Sequence, residues 1–196
     1  YYGMSNVHIL AGDGGNGRDS WIFFDIEVGG WGARQEKDGP DCYSQGIHNL
    51  ANTPIEMVEA TYPLRFKHYE LIPDTGGAGK QRGGLGVRRD IEFLDQSGSL
   101  NTQFDKFKIA PFGLFGGKDG ATGSMVMNPD GPEPEDLHSK TVNHPFKYGD
   151  VFSMRTQGGG GFGTPEERDP AAIERDLREG KISANSAWDS YGLKGS

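Results

Sequence analysis

The stretch TYPLRFKHYELIPDTGGAGKQRGGLGVRRDIEFL, residues 61–94, sets an alternating apolar and polar run against a loop crowded with glycine and arginine. In LRFKHYELI, Leu64, Phe66 and Leu71 are among the apolar positions and Arg65 and Lys67 among the polar ones, which predicts a half-buried strand over 64–72. A second strand is predicted over 86–94. The loop between them either cradles a phosphate or simply connects two strands. Gly79-Lys80 supplies the Gly-Lys step of the pattern G-x-x-x-x-G-K-[ST], but Asp74 stands where the first glycine belongs and Gln81 where the magnesium-binding hydroxyl belongs. A negative Asp74 also repels the anion that such a loop holds. The reading is a long glycine-rich strand connection.

Outward from this stretch the pattern stays β-like. Residues 6–10 read as a short strand, 12–19 as a turn region, and WIFFDIEVGGWG as another strand. Gly12, Gly14 and Gly17 have the G-x-G-x-x-G spacing of a dinucleotide site, yet a strand follows where that site needs a helix, so a hairpin turn is expected. Thr53, Pro54 and Glu56 predict a helix start with a capping box, and Tyr62-Pro63 limits that helix to a turn or two. Beyond 94, turn punctuation at Ser97-Gly98, Gly116-Gly117 and Asp119-Gly120 separates short apolar pieces. SMVM reads as a strand before an Asn-Pro-Asp-Gly turn and an acidic surface stretch, and 151–156 as the last strand. Asp169, Pro170 and Gly180 then specify a helix of about ten residues with Ile173 and Leu177 as its apolar stripe. ANSAWDSYGL adds a second short helix expected to dock Trp188 and Tyr191, the helix pair packing on the domain or on a partner. The expected fold is α+β, β-rich with glycine-rich loops, divided into a β-rich domain over 1–164 and a helical C-terminal tail over 165–196.

The 32 glycines and 11 prolines follow no strict period and suit a loop-rich β protein. A net charge of −8 argues against nucleic acid or anionic lipid as partner. No apolar run approaches the ~20 residues of a membrane helix. One cysteine, Cys42, makes no internal disulfide and fits a reducing, cytoplasmic setting. The opening at Tyr1 without methionine is expected to be a cut end, of a processed chain or within a longer polypeptide.

Candidate chemistry is sparse. Asp38, Asp41 and His48 lie in one turn-rich loop and offer the side chains of a divalent-metal or acid–base site, with turn hydrogen bonds as the alternative. Lys80, Arg82, Arg88 and Arg89 either meet carboxylates of a neighbouring subunit or form a solvated cationic turn. His8, His68, His138 and His144 are dispersed, and no G-x-S-x-G, H-E-x-x-H or paired-cysteine motif occurs.

NTPIEMVEATYPLRFKHYELIPDTGGAGKQRGGLGVRRDIEFL closely resembles the signature of the hydantoinase B/oxoprolinase family, and GGWGAR upstream and GGGGFGTPEERDPAAIERDLREGKIS downstream extend the resemblance over nearly the whole chain. Family members are usually several times longer, so the resemblance implies a C-terminal portion. The family's metal-binding aspartates and histidines belong to the N-terminal portion and have no counterpart here. Many relatives carry a histidine where this chain has Gly46. The resemblance implies an ATP-dependent hetero-oligomeric enzyme whose partners are a hydantoinase A-type ATP-binding subunit and the N-terminal portion of hydantoinase B. ATP, magnesium and another divalent metal, zinc or manganese, are expected in the complex, and no cofactor on this chain. Phosphorylation of a carbonyl oxygen followed by cyclic-amide hydrolysis is the implied chemistry, with carboxylation of a ketone as the alternative. A non-catalytic assembly subunit and an independent dinucleotide-binding module are the rival classes.

Overall fold

The computed structural model describes residues 6–14, 17, 19–44 and 50–192. Its β-strands are β1 (Asn6–Gly12), β2 (Trp21–Glu27), β3 (Leu64–Leu71), β4 (Val87–Phe93), β5 (Ser97–Gln103), β6 (Ser124–Met127), β7 (Glu135–Asp136), β8 (Lys140–Lys147) and β9 (Val151–Arg155). Three short helices, α1 (Ile55–Thr61), α2 (Pro170–Arg178) and α3 (Ala184–Tyr191), and a 3-10 turn over Pro165–Glu167 complete the elements. One sheet has the order β2-β1-β5-β8 and the other β3-β4-β9-β6-β7, with every pairing antiparallel. The β-rich α+β reading of the sequence holds.

Both sheets turn apolar faces to a shared core. Leu10, Phe23, Leu100 and Phe146 from the first sheet meet Leu64, Ile91, Phe93, Phe152 and Met154 from the second in one buried cluster. Phe93 and Phe146 stack across the sheets with ring centroids 3.7 Å apart and planes 13° from parallel. Fully burying one such side chain stabilises by about 1.5–3 kcal/mol relative to exposure. The inner strand β4 also buries Arg89 and Asp90, which calls for internal partners.

Several expectations change in detail. Glycines 12, 14 and 17 lie at the β1–β2 hairpin, where β2 runs back antiparallel to β1 and no helix follows. Helix α1 begins at Ile55 with Pro54 in the capping position, and no side-chain cap bond forms there, so the expected Thr53 box is absent. Its end is as expected, because Tyr62 before Pro63 is extended (φ −114°, ψ 150°). Ser97-Gly98 opens strand β5 and is not a turn. Gly98 pairs with Phe146, and a Cβ there would lie 2.3 Å from that ring, so the glycine makes room for an aromatic. Strand β8 tolerates Pro145 because it is a sheet edge.

Helix α2 starts as read: the Asp169 side chain accepts a hydrogen bond from the Ala171 N–H. Ile173 is buried and Leu177 packs beside it. On α3, Tyr191 is buried in the domain and Trp188 is 56% exposed, so of the two only Tyr191 docks within this chain. Among the described residues no helix is long and apolar enough to cross a membrane.

Candidate functional site

The glycine loop spends most of its backbone amides on its own chain. Gly77 N–H donates to Gly159 O, Lys80 to Gly163 O, Gln81 to Phe162 O, Gly83 to Gly77 O and Gly84 to Trp31 O. The N–H groups of Arg82, Leu85 and Gly86 go to Asp38 Oδ1, Asp41 Oδ1 and Thr75 Oγ1. An anion cradle needs several free amides converging on one point. Here most are internally paired, so the loop is a connection, as its failed motif indicates.

The loop lies against the segments 29–42, 111–121 and 157–163, whose peptides exchange hydrogen bonds with it and with one another. Backbones approach so closely that a Cβ on Gly159 would sit 1.8 Å from the Trp31 carbonyl oxygen. The glycine tract thus packs backbone on backbone where an ordinary core packs side chains.

Charged side chains anchor this glycine centre to the helices. Arg168 donates from Nη1 to Asp38 Oδ1 (2.7 Å) and from Nη2 to both Asp38 Oδ2 (2.8 Å) and Asp176 Oδ2 (2.6 Å). Arg82 donates from Nε to Asp176 Oδ2 (3.3 Å) and from Nη1 to Asp41 Oδ1 (3.0 Å). Lys181 Nζ lies 3.3 Å from Asp41 Oδ2. Burial pushes the Asp38 carboxyl up, but the hydrogen bonds and charge of Arg168, with the Arg82 contacts, outweigh it and hold Asp38 below the ordinary carboxylate range. Asp41 is lowered in the same way, burial opposing and the Arg82 charge and Leu85 N–H prevailing. Both candidate aspartates are therefore clamps in an ion network. The third candidate, His48, and Gly46 lie outside the described residues.

The four basic residues assigned to partner contact divide. Arg82 and Arg89 are each 2% exposed and paired within the chain, which corrects their role to an internal one: a buried guanidinium needs its countercharge on site. Lys80 keeps an exposed ammonium 3.6 Å from Glu167 Oε2, beside an open hollow lined by Phe115, Phe162 and Thr164. Arg88 is partly exposed and donates from Nε to Asp90 Oδ1 at 3.2 Å. Burial, with the Glu27 and Asp41 charges, pushes the Cys42 thiol up to about 11 against the pull of Arg89, so this cysteine is a poor nucleophile.

A second cluster, not read from the sequence, lies between the sheets. His8, Asp25 and Glu27 from β1 and β2 bring one ligand atom each within 4.8 Å of one another. Arg89 from β4 donates from Nη1 to Asp25 Oδ2 (2.6 Å) and from Nη2 to Asn52 Oδ1 (2.8 Å), and Nη1 also lies 2.7 Å from Glu27 Oε1. Arg89 stacks over Tyr69, 4.1 Å from its ring centroid. Both nitrogens of fully buried His8 lack a hydrogen-bond partner among the described residues. His, Asp and Glu form a donor set that suits a divalent transition metal. Here Arg89 already supplies the cation that both carboxylates face, so the residues fit a buried ion triad.

Two carboxylates against one guanidinium leave a proton to be placed. Burial pushes Glu27 up to about 7, with Asp25 adding and Arg89 opposing. Burial pulls His8 down to about 4, which Asp25 resists and Arg89 reinforces. Between about pH 4.5 and 7 the folded chain holds a Glu27 proton that the unfolded chain releases, so this contribution to stability falls as pH rises. Between about pH 4 and 6.5 the unfolded chain takes a His8 proton that the folded chain refuses, so stability rises. Each contribution amounts to about 3 kcal/mol, and the two nearly cancel from pH 4.5 to 6.5. Glu27→Gln removes the falling one. Urea unfolding of this variant is expected to show stability climbing by about 3 kcal/mol from pH 4 to 6.5 while the parent stays nearly flat. Parallel profiles would refute the pairing.

The profile of the hydantoinase B/oxoprolinase family matches residues 1–165, most of the chain. The chain belongs to the hydantoinase B/oxoprolinase family. The provisionally assigned B-type component of a D-/L-hydantoinase from Pseudomonas sp. strain NS671 is 35% identical to this family member over 97% of the chain and 32% of its own length. The beta component of the Pseudomonas jessenii caprolactamase is 28% identical over 96% of the chain and 34% of its own length. The crystal structure of the ATP-dependent caprolactamase from Pseudomonas jessenii matches with a TM-score of 0.81 at 23% identity, covering 96% of this chain and 34% of that one. Nucleotide-free acetone carboxylase matches with a TM-score of 0.73 at 21% identity, over 98% of this chain and 30% of that one. The hydantoinase B-family chain therefore spans about a third of the length of these relatives.

Proposed function

We propose that the chain is one portion of an ATP-dependent, hetero-oligomeric, cytoplasmic enzyme of the hydantoinase/oxoprolinase type that opens a cyclic amide. The similarity to the B-type component of a hydantoinase and the beta component of a caprolactamase, across nearly the whole chain, carries this reading. A partner of the hydantoinase A type would bind ATP and phosphorylate the amide carbonyl oxygen. That step turns a poor leaving oxygen into a good one, and magnesium shields the charge. The internal pairing of most amides of the glycine loop supports holding the nucleotide elsewhere. This chain's own contribution is a rigid scaffold, because its charged clusters face inward and pair with each other. Ketone carboxylation is the second reading, favoured by the fold likeness to acetone carboxylase.

The test is ATP turnover by the assembled complex with hydantoins, 5-oxoproline and lactams, against ketones with bicarbonate. Cyclic amides are expected to stimulate turnover, and the isolated chain to hydrolyse no ATP. Stimulation by ketone and bicarbonate alone would overturn the hydrolase reading, and turnover by the lone chain would overturn the scaffold role.

A further inference from the structure

The outer face of the β1–β2 hairpin is apolar where a solvent-facing sheet would be polar. Strand β2 turns Phe23, Asp25 and Glu27 inward and leaves Ile22 and Phe24 67% and 55% exposed. The register sets Ile22 opposite Ala11, Phe24 opposite Ile9 and Ile26 opposite Val7, a ladder of three apolar pairs on one face. On the other side of β1, the outward partners are Ser99, Asn101 and Gln103 of β5, so the apolar strip ends there. Antiparallel sheets facing water turn apolar residues in and polar residues out, and this hairpin inverts the order, with His8, Asp25 and Glu27 inside and the apolar pairs outside.

Strand β2 is also a sheet edge. Among the described residues no strand pairs with its free side, and of the backbone groups there only the Ile26 N–H has a described partner, Asp25 Oδ1. Natural edges of this kind carry lysine or proline on the exposed positions or a charge pointing inward, or they are covered. Ile22, Phe24 and Ile26 carry neither lysine nor proline, and the inward charges of this strand, Asp25 and Glu27, are already matched by Arg89 inside the fold.

The occupant follows from length. The matched proteins carry this domain together with about twice as much further polypeptide, since the chain accounts for 32% and 34% of the hydantoinase and caprolactamase components. Exposed apolar strips mark interaction surfaces, and this further polypeptide is the occupant that the relatives' length supplies for the hairpin's apolar outer face and free edge.

We propose that the outer face and free edge of the β1–β2 hairpin dock the remaining polypeptide of a hydantoinase B-type protein, which lays an apolar strand along β2. This inference rests on the reading of the chain as one portion of such a protein. Main-chain bonds to the β2 edge provide the affinity, and the apolar ladder selects the register.

The test is a chimera in which this chain replaces the matching third of the B-type hydantoinase component from Pseudomonas sp. strain NS671, compared with the isolated chain by hydrogen exchange. Amides of residues 21–27 are expected to exchange at least 100-fold more slowly in the chimera. Ile22→Lys with Phe24→Lys is expected to abolish that protection. Val142→Lys, on the opposite edge strand of the same sheet where Val142 is 76% exposed, is expected to leave it intact. Equal exchange in chimera and isolated chain overturns the proposal. So does an isolated chain that sediments as a dimer and becomes monomeric on the lysine substitutions, because a second copy is then the occupant. Protection without amide-stimulated ATP turnover by the chimera with its hydantoinase A-type partner leaves the docking surface standing and counts against the proposed function alone.

Discussion

Gly159→Ala is expected to yield little or no folded protein. The added Cβ would stand 1.8 Å from the Trp31 carbonyl oxygen and 2.1 Å from its carbon, and these are backbone atoms that no rotamer change moves aside. The same peptides are hydrogen-bonded, Gly159 N–H to Gly84 O at 2.8 Å and Gly84 N–H to Trp31 O at 2.7 Å. Any shift that relieves the clash opens those bonds. The expected destabilisation exceeds about 4 kcal/mol, a large part of the 5–15 kcal/mol that holds a typical domain together. Gly180→Ala is the control: Gly180 has φ +68° and no heavy atom within 4 Å of an added Cβ, so only backbone strain of about 1 kcal/mol is expected. Soluble yield and thermal melts by circular dichroism measure both. A Gly159→Ala protein melting within a few degrees of the parent would show that the glycine centre can be displaced.

Arg168→Met is expected to cost about 3–5 kcal/mol and to release the C-terminal helices first. The substitution removes the guanidinium that binds Asp38 in bidentate fashion and also holds Asp176. Asp176 is 1% exposed and would keep only Arg82, which also serves Asp41, while Asp38 would be left with the Arg82 backbone N–H and the more distant Arg175. Hydrogen exchange should quicken across 165–192 well before the sheets, whose core shares none of these charges. Adding Asp176→Asn should restore part of the loss, because one uncompensated buried charge disappears. Uniform loosening of the whole chain, or additive single and double variants, would contradict this anchoring.

The charged network and the buried triad differ in how far the sequence announces them. Asp38, Asp41 and Arg82 attract notice as polar residues in glycine-rich loops, but nothing local pairs them with Asp176 and Arg168, up to 130 residues away. Asp25 and Glu27 interrupt an apolar run. Period-two alternation places them on the inward face with Phe23, a legible signal that two carboxylates are buried. Their countercharge, Arg89, and their neighbour, His8, come from other strands. Strands β5 and β8 escaped the sequence reading because serine, glycine, asparagine and proline occupy them, and their strand identity depends on edge position and on an aromatic crossing a glycine.

By itself the sequence determined the elements whose information is local. These are β3 and β4 from alternation, the end of α1 from Tyr62-Pro63, the start and stop of α2 from Asp169, Pro170 and Gly180, and the family from its long motif. Only the tertiary structure decided what the glycines and arginines are for. A glycine's fitness to let two backbones meet, and an arginine's choice between solvent and a buried carboxylate, depend on which distant segment arrives opposite. Desolvation and steric contact act between neighbours in space, and chain order does not specify those neighbours.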